Sequence, residues 1–119
     1  FYRGRLYLVR DGGFVQCVRP ATGEVIYEEC VGVPGGYCAS PVAAGGRIYL
    51  MSNQGLADEF VSALNVKDGK KIWSTRIGKV GNPNQQPNFP AARSTPTVDG
   101  AMVYALGSDG DLACLDTAT

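Results

Sequence analysis

The sequence contains no histidine, and its eleven Lys plus Arg are balanced by eleven Asp plus Glu across 119 residues. The first absence removes imidazole as a general base or metal ligand, and with it Ser-His-Asp and Cys-His catalysis and most zinc sites. Any enzymatic reading must rest on carboxylates, Lys, Cys or Tyr. The balanced charge leaves no clustered positive field for nucleic acid or an anionic membrane surface, both of which need grouped Lys and Arg to displace counterions. No apolar run is long enough to span a bilayer, so membrane insertion is not expected. Phe1 to Arg5 is not expected to be a leader, because it already carries two arginines and reads straight into a strand. Sixteen glycines and seven prolines leave few windows for a helix. What is there, 45% hydrophobic and 18% charged, suits a folded chain of short strands and tight turns.

Three copies of one pattern run along it: Gly4-Arg5-Leu6-Tyr7-Leu8-Val9, Gly46-Arg47-Ile48-Tyr49-Leu50-Met51 and Gly100-Ala101-Met102-Val103-Tyr104-Ala105-Leu106. A glycine follows each tyrosine by six positions, at Gly13, Gly55 and Gly110. β-Branched and aromatic residues bounded by Gly, Asn and Asp read as strands ending in hairpin turns. A return strand follows in each copy, at Phe14–Val18, Phe60–Leu64 and Asp111–Leu115, and then a polar turn. Copies one and two continue into a third strand, with Tyr27 and Trp73 each four residues after the turn glycines Gly23 and Gly69. Short segments at Ala39-Ser40-Pro41-Val42 and Ser94-Thr95-Pro96-Thr97 precede copies two and three. Leu56 to Leu64 also fits one helical face, but its match to the other copies favours a strand from Phe60 with a bulged hairpin extension. The unit is therefore a four-stranded meander, the form of one β-propeller blade. Tyr7 to Tyr49 is 42 residues, a usual blade length, and the 55 from Tyr49 to Tyr104 are explained by loop insertions.

Ala63-Leu64-Asn65-Val66-Lys67-Asp68-Gly69-Lys70-Lys71-Ile72-Trp73 resembles the tryptophan-docking repeat of the pyrroloquinoline-quinone-like (PQQ-like) β-propellers, Ala-x-Asp-x-x-x-Gly-Lys-x-x-Trp, with Asn65 in place of the usual Asp. Cys17 to Tyr27 is a weaker copy with Tyr27 at the Trp position. The resemblance implies an all-β fold of antiparallel four-stranded blades, about two and a half of them: 1–30 (incomplete), 37–77 and 94–119 (incomplete), with a long interblade loop at 78–93. Too few to close a ring, these need other blades from a larger protein or from identical subunits. The family includes quinoprotein dehydrogenases, a lipoprotein that assists outer-membrane protein assembly, and proteins without a cofactor, so the resemblance specifies fold more than function. It implies a noncatalytic scaffold or protein-interaction module in a periplasmic, secreted or cell-surface setting. The alternatives are a fragment of a PQQ-dependent oxidoreductase, whose adjacent cysteine pair is not found here, and a self-assembling segment that forms a ring. No cofactor is expected from these residues.

The 78–93 loop is the candidate recognition segment. Asn82, Asn84, Gln85, Gln86 and Asn88 supply amides, Phe89 a stacking surface and Arg93 a contact for an anion, which together suit a protein or small-molecule ligand. The bland alternative is a proline-stiffened connection whose amides satisfy their own backbone. Cys30 and Cys38 flank a Gly-rich turn and form a candidate disulfide. Cys17 and Cys114 occupy equivalent positions and are expected to be buried like Ala63. Asp109 and Asp111 read as turn residues rather than a calcium loop, and no metal site is expected. Glu28-Glu29 and Asp58-Glu59 read as solvated edges, and Tyr27 and Trp73 as packing between blades.

Overall fold

The computed structural model describes residues 1–10, 12–31, 39–54, 57–81 and 94–118. Ten strands run through these residues: β1 Leu6–Arg10, β2 Phe14–Val18, β3 Val25–Cys30, β4 Val42–Ala44, β5 Arg47–Gln54, β6 Asp58–Asn65, β7 Lys71–Lys79, β8 Thr97–Asp99, β9 Met102–Leu106 and β10 Leu112–Asp116. They form three antiparallel sheets in chain order, β1-β2-β3, β4-β5-β6-β7 and β8-β9-β10. No helix occurs among the described residues. From Asp58 onward the stretch that also fitted a helical face is strand β6, because each residue from Asp58 to Asn65 has a ladder partner on β5. β7 runs two residues into the stretch expected as loop, since the early start of β6 gives those residues partners in Asp58↔Lys79 and Glu59↔Gly78.

The register repeats from sheet to sheet. Cys17 lies between Tyr7 and Tyr27, Ala63 lies between Tyr49 and Trp73, and Cys114 lies opposite Tyr104. A small residue in the return strand leaves room for flanking rings on the same face, and Tyr49 and Trp73 meet there with centroids 6.1 Å apart. In both outer strands the register shifts one residue before the docking aromatic, so that Ile26 and Ile72 are each left without a ladder partner. Such a bulge re-aims the side chain that follows it.

The sheets stack face to face. Tyr7, Val9 and Val15 of the first sheet pack against Ile48, Leu50 and Leu64 of the second. The opposite face of the second, carrying Tyr49, Met51, Val61 and Ala63, packs against Val103, Ala105, Val98 and Leu115 of the third. β5 is consequently buried on both faces through Ile48-Tyr49-Leu50-Met51, and each such side chain contributes about 1.5–3 kcal/mol. The stack ends differently on its two outer faces. On the first sheet Arg10 donates to Glu28 at 2.9 Å, its guanidinium lies 4.8 Å above the Phe14 ring, and Gln16 donates to the same Glu28 carboxylate. On the third sheet the outer face exposes large apolar side chains, Met102 40%, Tyr104 40%, Leu106 50% and Leu112 74%, beside Thr97, Asp99 and Asp116 at its Met102 end.

Candidate functional site

The contacts that join one sheet to the next are built at equivalent positions. The Tyr27 hydroxyl donates to the Val66 carbonyl at 2.9 Å, and the Trp73 indole N–H donates to the Thr117 carbonyl at 3.0 Å. Val66 and Thr117 hold the same place in the turn after the return strand, so each aromatic reaches the corresponding carbonyl of the following sheet. The turns that present these carbonyls are fixed by side-chain acceptors. Asn65 Oδ1 accepts from Lys67 N–H at 2.9 Å, and Asp116 Oδ1 accepts from Ala118 N–H at 2.8 Å. An amide oxygen thus does at Asn65 what a carboxylate does at Asp116, because the turn needs an acceptor and not a charge. Gly69 has φ +75°, and a Cβ there would lie 2.5 Å from the Tyr27 ring. Glycine is required both by that backbone and by the ring seated on it.

A second latch lies at the other end of the same strands. Glu59 is fully buried, and Ser108, in the β9–β10 turn, donates to its carboxylate from the backbone N–H at 2.8 Å and from the hydroxyl at 2.6 Å. Ser108 Oγ also accepts from Gly81 N–H at 2.9 Å. This corrects the expectation of a solvated edge for Asp58-Glu59. Asp58 does face outward and pairs with Arg76 at 2.8 Å, but alternation sends Glu59 inward to meet the neighbouring sheet's turn. Local sequence could not reveal this, because the partners lie 49 residues away. Cys114 is a second correction. It is exposed whereas Cys17 is buried, since no further sheet among the described residues covers the β9–β10 face that carries it.

Burial favours the neutral phenol at Tyr7, with the neighbouring Cys17 as a further cause, and pushes its pKa up to about 12. The same causes push Tyr27 up. Tyr104 is raised chiefly by Cys114. Glu28 is lowered by its hydrogen bonds from Gln16 and Arg10.

Among the described residues, no three His, Cys, Asp or Glu side chains gather to hold a metal. Asn82, Asn84, Gln85, Gln86, Asn88, Phe89 and Arg93 all lie outside the described residues, as do Gly55 and Cys38. Cys30, the other half of the candidate disulfide, ends β3 and is exposed. The remaining repeat positions are placed: Gly13 and Gly110 lie at hairpin turns and Gly23 and Gly69 in the return-strand turns, all with positive φ. The fourfold order of the second sheet and the recurring aromatic contacts are those of propeller blades.

The sequence is 29% identical over 118 residues to the outer membrane protein assembly factor BamB of Moranella endobia, covering 95% of this chain and 29% of that protein. It is 36% identical over 56 residues to the BamB of Salmonella typhimurium, covering 47% of this chain and 14% of that one. Among solved structures, BamB from Moraxella catarrhalis superposes with TM-score 0.68 at 19% identity, over 98% of this chain and 31% of that one. The computationally designed Ika4 protein superposes with TM-score 0.67 at 10% identity, over 98% of this chain and 62% of that one. At these identities the two structures speak to the fold alone. The chain spans less than a third of the length of the BamB relatives it matches. The match to the family described as outer membrane protein assembly factor BamB runs over residues 1–119, and the chain belongs to that family of PQQ-like β-propellers.

Proposed function

We propose that these residues are a run of blades, 1–30, 37–77 and 94–119, in a larger ring that serves as a noncatalytic scaffold for protein partners in outer-membrane protein assembly, in the periplasm. The observation that carries this reading is the uncovered face of the third sheet. Met102, Tyr104 and Leu106 alternate with buried Val103 and Ala105 on β9. The sequence of that strand is thus apolar on both faces, as in β5, where both are covered. Tyr104 occupies the position of Tyr7 and Tyr49, whose faces pack on the following sheet. A further blade is the occupant that the repeat prescribes, and the length of the relatives leaves room for it. The names of those relatives support assembly of outer-membrane proteins as the setting.

In this reading the 78–93 loop is a recognition segment, with Asn82, Asn84, Gln85, Gln86, Asn88, Phe89 and Arg93 toward a protein partner, and a Cys30–Cys38 bridge pins the crossing between the first two blades. The test is genetic. Deleting the gene is expected to lower the β-barrel proteins in the outer-membrane fraction, with recovery on return of the wild-type protein. A version with residues 82–88 exchanged for a Gly-Ser linker is expected to fold and to restore less. Unchanged barrel levels after deletion would overturn the scaffold reading, and full recovery by the exchanged version would overturn the role of the loop.

A further inference from the structure

Equivalent clefts lie between the first and second sheets and between the second and third, and they differ in one respect that points to a ligand. The cleft between the second and third, about 230 Å³, is lined by Arg47, Tyr49, Val98 and Thr117 among others. Arg47 there donates to the Thr117 carbonyl. The cleft between the first and second, about 300 Å³, is lined by Arg3, Arg5, Tyr7, Val66 and Lys67. Arg5, Tyr7 and Val66 are the repeat equivalents of Arg47, Tyr49 and Thr117. Here, among the described residues, the carbonyl of Val66 accepts from Tyr27 alone, whereas that of Thr117 accepts from both Trp73 and Arg47, and the side chains of Arg3, Arg5 and Lys67 have no hydrogen-bond or ion-pair partner.

Arg3 adds an independent observation. Its φ is +49°, the one positive value among the described residues other than glycine, and the matching turn of the second sheet has Gly45 there with φ +58°. The left-handed region disfavours any residue with a Cβ, so the backbone gives no reason for an arginine. The side chain does reach out of its own turn. Its guanidinium lies 5.0 Å over the Tyr2 ring, and Nη1 lies 3.5 Å from the place a Cβ on Gly46 would take, on the second sheet. Strain kept at a cleft is a pointer to use.

We propose that this cleft binds a carboxylate-bearing, acidic segment of a partner protein, with Arg3, Arg5 and Lys67 as the anion contacts and Tyr7 and Val66 as apolar walls. The planar guanidinium fork matches a carboxylate, and the volume suits one or two side chains. The zero net charge of the chain gives no long-range field for a polyanion, which favours a local anion on a protein over a membrane surface. The cleft opens beside the β6–β7 turn, at the opposite end of β7 from Gly81, so the inference stands apart from the loop at 78–93.

The probe is a fluorescein-labelled peptide of alternating Glu and Gly, with its Gln counterpart, read by anisotropy on the full chain at about 0.15 M salt. The Glu peptide binds and the Gln peptide does not. Arg3→Gly weakens binding at least about tenfold, the scale of one charge-assisted hydrogen bond, while the thermal midpoint stays or rises because the strain is relieved. Arg5→Gln and Lys67→Gln weaken it too. Arg19→Gln, at an exposed residue paired with Glu24 at 3.2 Å, leaves it unchanged. Undiminished binding by Arg3→Gly, or a lowered midpoint that makes Arg3 structural, overturns the proposal. So does uptake by phosphatidylglycerol vesicles without peptide binding, which would make the anion a lipid phosphate.

Discussion

Burying a carboxylate is tolerated only where donors replace its hydration shell, and Ser108 supplies two such donors to Glu59. Removing the two ends of this contact has unequal consequences. Glu59→Ala deletes the acceptor of both Ser108 hydrogen bonds and leaves a void at a fully buried position, so a loss of about 2–4 kcal/mol is expected. Ser108→Ala removes one hydroxyl and keeps the backbone donor, for about 1 kcal/mol. Urea denaturation of the full chain measures both, and an equal or reversed order would show that the carboxylate does not hold the two sheets together. Little of this was legible beforehand. Asp58-Glu59 looks like any polar pair in sequence, and only the neighbouring sheet decides that one of them is a buried partner and the other an outward one paired with Arg76.

The strands were legible element by element, because each obeys a local rule. Apolar and aromatic runs alternate between glycine and Asx turns, and a backbone with that pattern has few choices. The four-stranded order β4-β5-β6-β7 followed from the repeats alone. Extents were less legible: β6 and β7 lengthen each other by mutual pairing across a bulge between Glu59 and Phe60, and pairing is not a property of either segment by itself. The ladder Tyr7-Cys17-Tyr27 has a titration consequence. A tyrosine whose pKa rises from 10.0 to about 12 on folding favours the folded state fully below pH 10, and that contribution is lost as pH rises toward 12. Titration of tyrosinate absorbance is expected to show a late-ionising class above the ordinary tyrosines, and Tyr7→Phe to remove one ring from it. Ionisation of all six tyrosines near 10 would contradict the burial of this ladder.

The two ends of the whole stack carry different surfaces. The first sheet ends in the Arg10, Gln16 and Glu28 network with Leu8 and Val25 exposed beside it, and the third ends in exposed Met102, Tyr104, Leu106 and Leu112 with no such network over them among the described residues. An apolar face of this kind asks for a cover. Native mass measurement of the full chain identifies it, with Leu112→Asp as the probe. A monomer that loses stability on this substitution has a further blade of its own on that face. A discrete oligomer that dissociates on it has a second copy there, and indifference to the substitution in either state would leave the face without a cover and sink the ring.

Sequence by itself determined the class of fold, the number of strands in the described sheets and the aromatic positions that dock one blade on the next, since each follows from spacing within some forty to fifty residues. Tertiary structure alone decided that Glu59 is buried, that Cys114 is exposed while Cys17 is not, and that Arg47 hydrogen-bonds a carbonyl of the neighbouring sheet where the Arg5 side chain has no such bond among the described residues. The physical reason is the same in each case. Burial and pairing depend on which sheet lies against a face, and residues at identical repeat positions meet different neighbours.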